Sequence, residues 1–156
     1  MNTPGRCFFL LTITLGMLFS SIHAQQRTPK SIDFDELREY LDDFDKRRAG
    51  ERIVVNNVPL QPGSKKHDQT AMTILEAGRE DDSLQLFTSA TLAKRLQSRA
   101  LNGRVRLRLT CTVIELRGEF DVSLSAFVTK AEAINEDGSV VWTTTGTAPA
   151  RVKYRI

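Results

Sequence analysis

The chain has 156 residues, with 22 lysine and arginine residues against 19 acidic ones and a formal charge of +3. That balance is too mild to build the strong field of a dedicated polyanion binder on its own. With 2 cysteines and 2 histidines, the chain lacks the residues for a disulfide framework or a multi-histidine metal centre.

Met1–Arg6 carries one basic side chain, Cys7–Phe19 is uncharged and apolar, and Ser20–Ala24 leads into the polar Gln25-Gln26-Arg27. This is the pattern of an export signal cut after Ala24. The apolar run is shorter than the roughly 20 residues of a spanning helix, so cleavage is expected and no stable membrane anchor remains. Cys7 opens the apolar run instead of following it and so cannot become an acylated mature N-terminus. Removing residues 1–24 leaves about 130 residues, enough for one domain with its own core, in the periplasm or outside the cell. Cys111 is then the only thiol in an oxidising compartment. It shares the parity of Val105, Leu107 and Leu109 in an alternating run, which places it in the core as a small hydrophobe.

Residues 25–30 form a polar leader containing Pro29. Residues 31–50 read as an amphipathic helix, with Phe34, Leu37, Leu41 and Phe44 on one face. Asp33 and Glu36 form a capping-box pattern, Asp42/Lys46 and Asp43/Arg47 are spaced as helix ion pairs, and Gly50 marks the stop. The period then changes to two. Residues 52–60 read as a strand broken by a bulge at Asn56-Asn57 and ended by Pro59. Residues 61–69 are a loop, 70–77 a second strand, 78–82 a turn and 83–88 a third strand. Ser89 caps a helix that carries Leu92 and Leu96 and exits at Asn102-Gly103. A long strand covers 104–116, with a bulge expected at Val113-Ile114 where the apolar parity flips. After the tight turn at 117–119, residues 120–128 place Phe120, Val122, Leu124, Ala126 and Val128 on one face. Asn135–Gly138 is a turn, Val140-Val141-Trp142 restarts a strand, and 151–156 alternates once more.

The fold class is therefore mostly β with α, an α+β domain over 51–156 behind the helix at 31–50. From Arg52 to about Val128 the order is three strands, a helix and two strands. That order resembles the OB-fold, a five-stranded Greek-key barrel with a helix between strands 3 and 4. The remaining C-terminal residues add a strand and a short hairpin. The resemblance implies that the loop between the first two strands, which holds Lys65 and Lys66, contacts ligand.

Catalytic chemistry has little to work with. His67 is the only histidine after the signal, beside Asp68 and near Ser64, and no nucleophile-elbow sequence accompanies them. Glu80-Asp81-Asp82 lacks the spacing of a calcium loop, no zinc pattern occurs, and no cofactor is implied. The positive feature is basic. Arg104, Arg106 and Arg108 alternate with Val105, Leu107 and Leu109 and make a row about 13 Å long on one strand face. Arg151, Lys153 and Arg155 repeat the pattern. Phe87, opposite in parity to Leu84 and Leu86, offers a stacking platform. Lys65, Lys66, Phe87, Arg104, Arg106 and Arg108 are thus the candidate ligand-binding residues. The competing reading is a solvated strand face neutralised by Glu115, Glu119 and Asp121. The expectation is an exported, non-enzymatic binding module for a polyanion or oligonucleotide. The alternatives are a structural or assembly protein in which the 31–50 helix packs on another protein, and, last, a hydrolase.

Overall fold

The computed structural model describes residues 28–99 and 106–156; the expected export signal over 1–24, Arg104 and the expected Asn102-Gly103 helix exit lie outside them. In chain order the elements are β1 (Lys30–Asp33), α1 (Phe34–Asp42), a 3-10 turn (Lys46–Arg48), β2 (Arg52–Val58), β3 (Lys65–Lys66), β4 (Thr73–Arg79) and β5 (Asp82–Thr88). They continue with α2 (Ala90–Gln97), β6 (Arg106–Arg117), β7 (Val122–Ile134), β8 (Val140–Thr145) and β9 (Lys153–Arg155). The protein is mostly β with two helices, and the α+β class holds. The strands form one mixed sheet in the order β1-β2-β6-β7-β5-β4-β3, with β8 added to β7 and β9 to β6. Three pairings are parallel: β1 with β2, β5 with β7, and β6 with β9. The continuous ladder does not close. Just past β2 a single bridge joins Leu60 to Ala77 of β4. Beside it the Gln61 N–H donates to the Glu76 carbonyl at 2.8 Å, and the Gly78 N–H to the Pro59 carbonyl at 2.9 Å.

Strand parity decides what is buried. Leu107, Leu109, Cys111 and Val113 of β6 face the main core with Ile53 and Val55 of β2. Ile114 and Leu116 belong to a second apolar cluster with Met72, Phe87, Phe127 and Tyr154. The adjacent burial of Val113 and Ile114 therefore needs no bulge, because apolar side chains cover both faces of the sheet at that point. The irregularity of the β6–β7 ladder lies instead between Thr110 and Cys111, which face Lys130 and Val128 and leave Thr129 of β7 as the extra residue. Past Thr129 the buried parity of β7 changes from Leu124, Ala126 and Val128 to Ala131 and Ala133. The expected bulge in β2 is present: its register with β6 shifts between Val55 and Val58, and Asn57 has φ +56°.

The single helix expected over 31–50 is divided. Ile32 is buried in β1 opposite Val55, so extended backbone at the open edge of β2 wins over helix there. Asp33 does sit at the N-cap, but its carboxylate accepts from the Asn57 side-chain amide at 3.0 Å and makes no cap bond. The capping box is not formed. α1 stops at Asp42, with no basic residue in its last turn to offset the negative end of its dipole. Arg48 folds back, donating to the Tyr40 carbonyl and to Asp43 Oδ2, each at 2.6 Å, with its guanidinium 4.5 Å from the Tyr40 ring centroid. Tyr40, not Phe44, joins Leu37 and Leu41 on the buried face, and Phe44 is exposed. That face packs on β2 and β7 of the same chain, so it is not free to dock a partner.

At the C-terminal side, Asn135–Gly138 turns β7 into β8 as expected, closed by the Asn135 N–H donating to the Ser139 carbonyl. β9 lies parallel to β6 opposite Glu115–Arg117, on the stretch that β2 leaves unpaired beyond Thr112. Phe120 and Val122 are exposed at the β6–β7 turn; only the inner part of the predicted apolar face of β7 is buried.

Candidate anion-binding groove

Two described arginines of the predicted row stand on β6, and Arg104 lies outside the described residues. Arg106 is exposed and makes no ion pair among the described residues. Arg108 is half-buried, and its Nη1 lies 3.9 Å from Glu132 Oε2. Glu132 faces Arg108 directly across the β6–β7 ladder, and its other oxygen forms an ion pair with Lys130 Nζ at 2.7 Å. The row is therefore partly neutralised, but by Glu132 and not by the residues that sequence proximity suggested. Glu119 and Asp121 sit at the hairpin tip. Glu115 is fully buried, bonded to Arg117 Nε and 4.0 Å from Lys153 Nζ, with Oε2 lacking a hydrogen-bond partner. Its backbone N–H donates to the Val152 carbonyl at 2.7 Å, just before β9. Glu132 was missed because only the register across the Thr129 bulge brings it opposite Arg108.

Arg106 and Arg108 line one groove of about 280 Å³ together with Asn56, Asn57 and Asn135 and with the carboxylates of Asp33 and Glu136. The β2 bulge turns Asn57 into the left-handed region, which asparagine tolerates better than most residues. The Asn57 amide is tied to Asp33, and the Asn56 amide donates to Ser31 Oγ at 2.9 Å. Of the groove's basic groups, Arg106 is left with its guanidinium turned to solvent, while Arg108 is held back by Glu132.

The other candidates are elsewhere. Lys65 Nζ donates to Glu76 Oε1 at 3.1 Å, Lys66 is exposed, and neither lines the arginine groove. Phe87 is not the exposed platform expected from its parity. It is only 4% exposed, within the second apolar cluster. The segment after β3 folds back over it: the His67 N–H donates to the Met72 carbonyl at 2.9 Å, and the His67 ring meets Phe87 edge-on at 5.5 Å. His67 Nδ1 pairs with Thr70 Oγ1 at 3.1 Å, and Ser64 bonds to Gln97. Ser64, His67 and Asp68 are thus not assembled as a triad. Asp82 of the acidic turn accepts from Arg38 at 2.7 Å, and among the described residues no group of three or more potential metal ligands converges.

No family model matches the chain, and no curated protein matches it. Among solved structures, one described as an aspartyl-tRNA synthetase from Leishmania major Friedlin is similar at 12% identity over 80% of this chain, with a TM-score of 0.38. The chain spans 22% of the length of that protein.

Proposed function

We propose that this is an exported, non-enzymatic binding module, built on a five-stranded OB-fold-like barrel, that holds an anionic polymer or oligonucleotide at the groove of Arg106 and Arg108. Two things support the barrel: the pairing of β2 with β6, β6 with β7, β7 in parallel with β5, and β5 with β4, and the Leu60–Ala77 bridge that leads back from β4 toward β2. The observation that carries the ligand reading is the exposed Arg106 beside Arg108 in one groove. Guanidinium groups read phosphate and sulfate through paired donors. Asp33, Glu132 and Glu136 limit the local potential, so the contact is short and salt-sensitive.

The test is fluorescence anisotropy with a labelled single-stranded oligonucleotide and a heparin oligosaccharide over a salt series. The Arg106→Gln/Arg108→Gln variant should keep its fold and lose affinity. The log-log salt slope for the oligonucleotide should flatten by about 0.7 for each phosphate contact removed. Wild-type protein that binds neither probe, or binding unchanged in the double variant, sinks the reading. An assembly role remains the second reading, but α1 no longer favours it, because its apolar face is covered by the chain's own sheet.

A further inference from the structure

We infer that the cavity between α2 and the segment following β2 is a separate binding site, for a small apolar molecule with an anionic head group. Residues 60–63 pass β4 on one side and the last turn of α2 on the other, and leave a cavity of about 570 Å³. Leu60, Leu75 and Leu96 supply its apolar lining, and Gln61, Gln97 and Arg99 its polar groups. Apolar walls with a few polar groups, at this volume, are the make-up of sites for small organic ligands.

The polar groups differ in what they have left to offer. The Gln61 amide already donates to the Gly78 carbonyl at 3.1 Å, and the Gln97 amide to Ser64 Oγ. Among the described residues, Arg99 is the one charged residue of the lining. Its guanidinium lies 4.6 Å from the ring centroid of Trp142. A guanidinium stacked on an aromatic face is held in place while the N–H groups around its edge stay available to an acceptor. The fixed charge of the lining is therefore positive, and its complement is a carboxylate or a comparable anion on an apolar chain packed against the leucines. Among the described residues the cavity shares none with the Arg106–Arg108 groove, so the site stands apart from the polyanion reading.

Decanoate and decanol, titrated calorimetrically into the full chain, separate charge from chain. Trp142, the one tryptophan present, reports location. Decanoate should bind saturably and shift the Trp142 emission, with decanol about tenfold weaker for want of one charge-assisted contact. Arg99→Gln, at an exposed position, should bring decanoate to the decanol level. Gln97→Phe should weaken both by narrowing the mouth, and Arg106→Gln/Arg108→Gln should change neither. No saturable decanoate binding, full decanoate affinity in Arg99→Gln, or its loss in the Arg106→Gln/Arg108→Gln variant would overturn the site.

Discussion

Burial pushes the Cys111 thiol up to about 12, so at neutral pH there is no thiolate to attack a reagent. The side chain lies in the main core opposite Ile53, with none of its surface exposed. A disulfide reagent should leave native protein unlabelled under conditions that titrate Cys111 once urea unfolds the chain. Rapid native labelling, or a covalent dimer dissolved by reductant, would show that the strand opens. This position was legible in the sequence because the parity of β6 alone sets it. Phe87 was not: parity said only that it opposes Leu86. Its cover comes from Met72, Ile114 and Tyr154, three residues distant in sequence that only tertiary structure brings together. The partner of Arg108 was hidden for a similar reason, since one extra residue at Thr129 decides which β7 side chain faces it.

Among the elements, α2 starts where its local signals place it, although it ends at Gln97, short of the Leu101 expected from the sequence. The Ser89 hydroxyl accepts from the Leu92 N–H at 3.3 Å, and Leu92, Ala93 and Leu96 form the buried face. Ser89→Ala should cost about 1 kcal/mol, the usual worth of an N-cap side chain, read as a lower urea midpoint at an unchanged slope. Gly146 adds a constraint at the same place. A Cβ there would lie 2.8 Å from Leu92 Cβ and 2.9 Å from Ser89 Oγ, so the chain leaving β8 closes tightly on the start of the helix. α1 shows the opposite case. Its periodic apolar residues suggested one helix over 31–50, yet the open edge of β2 draws residues 30–33 into a strand, and Arg48 turns the chain back before Phe44 can join the face. Helical periodicity cannot register competition from an unpaired strand edge formed by residues further along the chain.

At the scale of the molecule, the mostly β class with two helices was readable, but β1 and the short β3 were not, since residues 30–33 were expected in the leader and helix and 65–66 in a loop. The parallel docking of β9 on β6 was not, because three alternating residues carry no record of their partner or its direction. If residues 1–24 act as a cleaved export signal, intact-mass measurement of secreted material should give a chain beginning near Gln25. Retention of Met1 would refute that processing. The arrangement of β6 bears on how soon the chain can fold. It pairs with β2 before it and with β7 and β9 after it, so the sheet's central ladder cannot form until the second half of the chain has been made. Non-local pairing of this kind slows folding, because loop closure must precede the contacts that reward it. A chain that cannot fold early stays threadable, and this topology thereby prolongs the time for which the newly made polypeptide remains open.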